Sequence, residues 1–366
     1  MQITPTYLNF SFLSGVPEIM GECLKYQTPN DESMFFVIVS HNTDFLTFLI
    51  NQYHLEMNLS YCAAFGNLNA FLIYFDMTKD VNDCFINSPL FYLPSLVEDF
   101  ISFGVDINAS DLLGKTAIIH AGLTNNRSAE ILLSHGADIN SRDSDGMTAL
   151  HKAASNNYVE FMEFLIEHGA DYNASDICKY SVLHFTTRYD SKDAAALLIS
   201  YGANINAVDD TGKSTLLNAA QQDDFAIAEL LISHGADINA KDYNNSSALH
   251  YAAAYNSEET ADLLILHGAV VNARDVDKKT PLIVAAEYSN KEVAVLLILN
   301  KANVNAKDRN GKTALMYASE KGSIEIVSLL LSSGANTKIR DNFKHNALHY
   351  ATISKNYEIA NLLRQS

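Results

Sequence analysis

One stretch decides the fold: Asp143-Ser-Asp-Gly-Met-Thr148-Ala-Leu-His-Lys-Ala-Ala154, followed by an apolar stripe through Leu165 and Ile166 and closed by Gly169-Ala-Asp-Tyr-Asn173. Self-similarity at a fixed period near 33 residues is typical of units stacked in an array. Each unit then buries its core against its neighbours instead of forming a globular domain of its own. The Thr148 position recurs, with one step of 32 residues and all others of 33, as Thr116, Ser181, Ser214, Ser247, Thr280, Thr313 and Asn346.

Each position of the period has a physical role. The Thr148 position always carries a residue suited to cap a helix, because its side-chain oxygen can accept a hydrogen bond from an orphan N–H of the first turn. Asp143 and its equivalents, five residues earlier, are suited to fix a tight turn. Alanine pairs such as Ala153 and Ala154 give the first helix of a unit a small face, and Leu-Leu-Ile triplets such as 230–232 give the second helix a large apolar face.

The second helix of most units is predicted to end at a glycine with left-handed backbone. Lys301 replaces this glycine in one unit, where a left-handed conformation costs about 1–2 kcal/mol. The glycines at this position are Gly136, Gly169, Gly202, Gly235, Gly268 and Gly334.

Together these positions resemble the ankyrin repeat, whose pattern is D-x-x-G-x-T-x-L-H-x-A-A … L-L-x-x-G-A-D-x-N, and the match runs roughly from Cys84 to the C-terminus. The resemblance implies an all-α solenoid of stacked helix-turn-helix units with short β-hairpin fingers. It also implies a concave, protein-binding face made by the fingers and the first helices. We divide the chain into an N-terminal helical capping region (1–82) and an array (83–366). The array comprises a degenerate unit (83–110), regular units (111–340) and a truncated C-terminal cap (341–366).

The first hundred residues differ in composition from the array. They hold twelve of the 18 phenylalanines and five of the six prolines, but only three of the 16 glycines. We predict amphipathic helices over 34–52 and 59–75, with a degenerate copy of the repeat's first helix over 59–67. This region resembles the uncharacterised N-terminal domain that precedes the array in protist ankyrin-repeat families. It is interpreted either as a module that caps the open end of the array or as a second recognition surface.

Charge and cysteine usage argue against several classes of partner and several cellular compartments. A formal net charge of −18 argues against nucleic acid, which calls for a basic surface, and against an anionic membrane. The sequence has no apolar run long enough to span a bilayer and no basic-then-apolar secretory signal. Its four cysteines form no CxxC pair and favour reduced thiols. We therefore expect a cytoplasmic protein, with the nucleus also compatible, that does not insert into membranes; we also expect a monomer.

Several apparent chemical motifs do not support an enzyme. The Gly-Lys-Thr/Ser tripeptides that begin at Gly114, Gly212 and Gly311 lack the glycine that a phosphate-binding loop needs five residues earlier. Cys178 and His184 lie close in sequence but have no third orienting group. We predict no catalytic residue, no metal ligand and no cofactor. Four histidines that recur with the period are predicted to be buried and bonded to neighbouring backbone: His151, His184, His250 and His349.

The positions that the fold leaves free carry the remaining functional signal. In ankyrin geometry these lie six, four, three and one residue before the cap, and seven and eight after it. They hold 12 of the chain's 25 basic residues but only five of its 43 acidic residues. We therefore predict a relatively basic concave face that favours an acidic or phosphorylated protein partner, mainly through the rate of association. The other interpretation is that lysine is a common feature of ankyrin fingers.

Tyrosines at the same free positions concentrate in the third to sixth units. Tyrosine and arginine often anchor interfaces, although such rings can also fill the helix surface and pack on the neighbouring finger. The function we expect is a non-enzymatic protein-interaction scaffold or adaptor; the alternative is structural self-assembly through the Phe-rich N-terminal region. The predicted partner-binding residues are Tyr180, Arg188, Tyr189, Tyr243, Tyr255, Arg274, Lys279, Tyr288, Lys307, Arg309 and Lys312.

Overall fold

The fold consists of short helices joined by tight turns. The computed structural model describes residues 5–124, 127–188 and 191–365, without the side chains of residues 5, 6 and 188. Among these residues β pairing is limited to isolated bridges, such as Ser175 with Ser181 at the base of a finger. The predicted all-α class with short hairpin fingers is therefore confirmed. The chain divides into two compact units, 1–153 with 160–171 and 154–159 with 172–366.

The helices come in consecutive pairs, in which we call the first helix inner and the second outer. The earlier pairs are α1 (Pro5–Ser14) and α2 (Pro17–Leu24), α3 (Asp31–Ser40) and α4 (Thr43–Tyr53), α5 (Leu59–Ala64) and α6 (Leu68–Thr78), α7 (Val81–Asn87) and α8 (Pro94–Ser102), α9 (Ala117–Ala121) and α10 (Ser128–Ser134), and α11 (Ala149–Ser155) and α12 (Val159–Glu167). The later pairs are α13 (Val182–Arg188) and α14 (Lys192–Ser200), α15 (Thr215–Gln222) and α16 (Phe225–Ser233), α17 (Ala248–Tyr255) and α18 (Glu258–Leu266), α19 (Pro281–Tyr288) and α20 (Lys291–Leu299), α21 (Ala314–Lys321) and α22 (Ile324–Ser332), and α23 (Ala347–Ile353) and α24 (Tyr357–Gln365).

The second unit is a regular stack of such pairs. Its inner helices contact one another in succession from α13 to α23, and its outer helices do so from α14 to α24. Ala252 and Ala285 on the inner helices are fully buried, and their small side chains let neighbouring helices approach closely. Leu264 and Leu297 of the outer helices are also fully buried. The core therefore runs through the stack, as the 33-residue period predicts.

Asparagine side chains connect successive outer-helix ends. Asn272 accepts a hydrogen bond from the N–H of Asn303 (2.7 Å) through its side-chain oxygen and donates to the carbonyl of Lys301 (3.3 Å) through its amide nitrogen. Asn305 bonds Asn336 and Gly334 in the same way. Each repeat thus satisfies backbone groups of the next one, which fixes the spacing between neighbours.

The N-terminal region contains the same kind of helix pair with much shorter linkers. The first regular finger occupies residues 103–116. In the corresponding place, the earlier pairs are joined only by the linkers 25–30, 54–58 and 79–80. Inner helices α1, α3, α5, α7 and α9 contact one another in succession. The core between these pairs is aromatic, because Phe12, Phe71 and Phe85 are fully buried.

Two predicted helices in this region are wrong in length. The helix expected over 34–52 is divided at His41, whose φ is 56°, and the one expected over 59–75 is divided at Gly66, whose φ is 64°. Asn42 and Asn67 then cap the helices that follow, through side-chain oxygens that accept from the third N–H beyond them. The apolar period continued across both turns because each helix of a pair buries a face in the same core.

The predicted helix caps are confirmed in part. Thr280 and Asn346 accept the expected hydrogen bond from the third residue of their helices. Thr116, Ser214 and Thr313 make no such bond. Their backbone angles match those of Thr280, so the backbone does not account for the difference.

The ends of the outer helices agree with the sequence. The six glycines at this position have φ between 85° and 96°, and Lys301 has a φ of 66°. Lys301 therefore adopts the left-handed conformation expected for it.

Candidate protein-binding surface

The candidate surface is the finger face of the second unit, which we define as its hairpin fingers together with its inner helices. The aspartate five residues before each cap fixes its finger. Asp209 accepts from the N–H groups of Thr211 (2.8 Å) and Lys213 (2.9 Å), and Asp242 does the same for Asn244 and Ser246. The predicted turn-fixing role is confirmed.

Neighbouring fingers are hydrogen-bonded edge to edge. The N–H of Tyr243 donates to the carbonyl of Thr211 (3.0 Å), and the N–H of Arg309 donates to that of Asp277 (2.7 Å). The same bond joins Asp210 to Cys178, Val276 to Asn244 and Asn342 to Asn310. The row of fingers is therefore continuous, and side chains placed on it have a fixed spacing.

Basic side chains form a line along this row. The basic ladder consists of Lys241, Arg274, Lys307 and Arg340, one per repeat and all exposed. Arg274 donates to the carbonyl of Lys307 (2.9 Å), and Lys307 donates to that of Arg340 (2.9 Å). Lys241 lies 3.5 Å from the carbonyl of Arg274. No carboxylate in the described chain lies within ion-pair distance of these four side chains.

The lysines just before the caps have acidic partners inside the protein. Lys279 pairs with Glu287 at 2.5 Å, and Lys312 pairs with Glu320 at 2.6 Å. Lys213 donates to the uncharged side chain of Gln221 (2.8 Å). Two of the predicted partner-binding cations are thus neutralised by their own repeats. The basic character of the finger face is concentrated in the ladder.

Tyrosines four residues after the caps connect the inner helices to the fingers, and this role was not predicted from the sequence. The hydroxyl of Tyr317 donates to Asp308 (2.8 Å), and that of Tyr251 donates to Asp242 (2.8 Å). Lys312 lies 4.1 Å from the ring centre of Tyr317. Burial raises the pKa of Tyr317, and its hydrogen bond to Asp308 raises it further. An aromatic residue recurring nine residues after the finger aspartate was the available signal.

The predicted tyrosines fall into two groups. Tyr255 and Tyr288 end inner helices α17 and α19 and are 58% and 61% exposed. Tyr243 is also exposed, but its ring lies only 2.6 Å from where a side chain on Gly212 of the preceding finger would begin. Tyr180 is half-buried against His184 and Phe185. The ring of Tyr243 therefore packs on the neighbouring finger although it is exposed, and Tyr255 and Tyr288 are exposed at the ends of their helices.

The hydroxyl of Tyr180 also serves the next finger. Burial acts to raise the pKa of Asp209, but hydrogen bonds from Thr211, from the backbone of Lys213 and from Tyr180 outweigh it and hold this pKa below its ordinary value. Tyr180 therefore supports the charged form of a finger aspartate.

The remaining predicted residues are placed as follows. Arg309 forms an exposed ion pair with Asp277 at 3.3 Å and donates to the carbonyl of Val276. The side chain of Arg188 and the whole of Tyr189 lie outside the described residues.

The periodic histidines are structural, as predicted, except for the last. In His184 and His250 one ring nitrogen accepts from the N–H of the cap residue, and the other donates to the carbonyl of Lys213 or Lys279. His151 accepts from the N–H of Thr148 (3.1 Å). His349 is only half-buried, and its ring stacks on that of His345 with the ring centres 3.7 Å apart.

The described residues contain neither a cluster of metal-ligating side chains nor a helix suited to span a bilayer. No group of three or more metal-ligating side chains was found in 5–124, 127–188 or 191–365. None of the helices there has the length and apolar character required to cross a bilayer.

Comparison with known proteins assigns the family. A family model described as ankyrin repeats matches residues 88–176, 173–242, 241–308 and 282–366, so the chain belongs to the ankyrin-repeat family. Residues 1–74 match a domain of unknown function, DUF3447. Both resemblances stated from the sequence are thereby confirmed. Ankyrin repeats are generally protein–protein interaction modules, and the family is typically non-enzymatic. No curated protein matches the chain.

Proposed function

We propose that this chain is a non-enzymatic scaffold that binds an acidic segment of a protein partner along the finger face of its second unit. The basic ladder is the observation that carries the proposal. Four exposed cations stand in register on a chain of net charge −18, and within the described part of the chain their side chains bond only backbone carbonyls. Such a local positive field attracts acidic side chains and accelerates encounter with them.

Exposed aromatic rings on the inner helices of the same face supply the apolar part of the proposed interface. Tyr255 and Tyr288 end adjacent inner helices, and large exposed tyrosines are frequent anchors of interfaces. Arg309 adds to the surface, because an exposed ion pair such as its contact with Asp277 is weak and easily exchanged. Lys279 and Lys312 contribute less charge, since they are already paired. Arg188, Tyr189, Tyr180 and Tyr243 remain part of the proposed surface.

The proposal also covers the domain division, the oligomeric state and the cellular compartment. We keep the division into an N-terminal region at 1–82 and an array at 83–366, and we propose that the protein is a monomer. Its four cysteines form no disulfide, three of them being buried and Cys178 exposed, which fits the reducing cytoplasm and is also compatible with the nucleus.

The test is affinity capture from a cell lysate with three chains. They are the parent, the double variant Arg274→Gln with Lys307→Gln, and the control Lys192→Gln with Lys291→Gln, which removes the same charge from exposed outer-helix positions. We expect a partner retained by the parent and the control and lost with the ladder variant. Phosphatase treatment of the lysate separates phosphorylated partners from those that use carboxylates. Equal retention by all three chains would refute binding along the ladder.

Self-assembly through the Phe-rich region is the second candidate. Exposed apolar side chains on the first helix pair favour it, since Phe10 is 55% exposed and Ile19 is 50% exposed. Sedimentation over a range of concentrations distinguishes the two, because a monomer keeps one mass and an assembling chain does not.

A further inference from the structure

A groove of about 1470 Å³ lies in the first unit, where the N-terminal helix pairs lack fingers. It is lined by residues of α3, α5 and α7, by the C-terminal parts of α4 and α6, by linker 54–58 and Asp80, and by the first regular finger at 110–115. In the regular array a finger stands beside each inner helix. Here the shortened linkers leave the starts of three inner helices uncovered.

The groove offers apolar and aromatic surface to a ligand. The rings of Phe35 and Tyr61 meet edge to face at 5.2 Å, and Tyr61 is 43% exposed. Met77 on α6 is 41% exposed. On the finger, Leu112 is fully exposed and Leu113 is 54% exposed. Large apolar side chains gathered on one concave surface are typical of a place where another chain docks.

The same groove is acidic. Asp31, Glu56, Asp80, Asp83 and Asp111 line it, and Lys115 is the single Lys or Arg among its described lining residues. None of these five carboxylates belongs to an ion pair among the residues that the structure describes.

Asp83 is a half-buried carboxylate of the groove with two other carboxylates, Asp80 and Asp111, near it. It accepts hydrogen bonds from the hydroxyl of Tyr74 (3.0 Å) and from the side-chain amide of Asn87 (3.2 Å). Burial raises the pKa of Asp83, and the charges of Asp80 and Asp111 raise it further. A cation placed in the groove would therefore relieve an unfavourable charge as well as form an attractive pair.

We infer that this groove binds a segment of a partner protein in which basic side chains are interspersed with apolar ones. The basic groups face Asp80, Asp83 and Asp111, and the apolar groups cover Tyr61, Met77 and Leu112. The charge of the groove is opposite to that of the basic ladder. The two surfaces therefore select different ligands, and the N-terminal region acts as a second recognition surface beyond the proposed finger-face function.

The test is binding of a labelled synthetic peptide that alternates lysine with leucine to the full chain, followed by fluorescence anisotropy. The comparison probe has glutamate in place of every lysine. We expect the lysine peptide to bind and the glutamate peptide not to bind. Asp83→Asn keeps the hydrogen-bonding shape of the side chain and should weaken binding about tenfold, because one partner of a half-buried charge pair is lost.

Matched controls separate a specific groove from general attraction to an acidic protein. Asp99→Asn removes the same charge from exposed α8 outside the groove, and Leu266→Ser removes an exposed leucine from the outer helix α18. Leu112→Ser should weaken binding several-fold, whereas both controls should leave it unchanged. Leu112 is fully exposed, so this variant remains informative even if Asp83→Asn perturbs folding.

Three outcomes would overturn the inference. The first is equal weakening by Asp83→Asn and Asp99→Asn, which would reduce the binding to net charge. The second is unchanged binding in the Leu112→Ser variant. The third is a parent chain whose mass increases with concentration and returns to that of one chain in Asp83→Asn, which would make a second copy the occupant. None of these outcomes depends on the ladder, so this test and that of the finger face can fail separately.

Discussion

Lys301 holds a backbone conformation that glycine provides in the neighbouring repeats. Its φ is 66°, and its side chain is exposed, so the left-handed strain has no compensating contact in the described chain. Lys301→Gly should therefore stabilise the protein by about 1 kcal/mol, the strain relieved less the extra chain entropy of glycine. The substitution keeps the backbone carbonyl of residue 301, which accepts a hydrogen bond from the side chain of Asn272. The measurement is the midpoint of urea unfolding.

The reverse substitution in the preceding repeat is the matched control. Gly268 has a φ of 94°, and a side-chain carbon added there would meet no atom within 4 Å. Gly268→Ala should therefore lose about 1 kcal/mol from conformation alone, without a steric clash. An unchanged midpoint for Lys301→Gly would show that the strain at this position is negligible.

Fingers and inner helices are joined through the finger aspartates. One oxygen of Asp308 accepts from the finger backbone and the other accepts from the hydroxyl of Tyr317. Asp308 is buried, so Tyr317→Phe leaves an oxygen without its donor and should cost about 1–3 kcal/mol. Tyr288→Phe, at an exposed ring, should change stability little. Equal unfolding midpoints for the two variants would show that the aspartate finds another donor.

Periodic spacing predicts those elements whose chemistry repeats. The finger aspartates, the outer-helix glycines and the family could be predicted from the sequence. The same finger turn and the same outer-helix end recur every 33 residues, and each is built with the same residue type. The break at His41 did not follow, because a left-handed histidine carries no glycine or proline signal and the apolar pattern continues through it. The pairing of Lys279 with Glu287 was also missed, since the two residues were counted as separate free positions. Side-chain partners eight residues apart become visible only once the inner helix is placed.

Charge is distributed unevenly over the whole chain. The groove of the first unit collects five carboxylates, whereas the finger row of the second unit carries four exposed cations in register. The net charge of −18 therefore describes neither surface. Ionic strength should weaken ligand binding at both surfaces while acting on ligands of opposite sign.

Buried imidazoles in both units make the stability of the molecule depend on pH. Burial lowers the pKa of His120 to about 4 and also lowers those of His184 and His250. The unfolded chain, with an ordinary pKa of 6.5, binds these protons first, so stability that is complete above pH 6.5 is lost as the pH falls towards 4.

His120 alone should contribute a loss of about 2 kcal/mol between pH 7 and pH 5, measured as the shift in urea midpoint. His120→Leu should make the pH dependence shallower. A parent chain equally stable at both pH values would mean that these rings gain access to water or to a carboxylate when they are protonated.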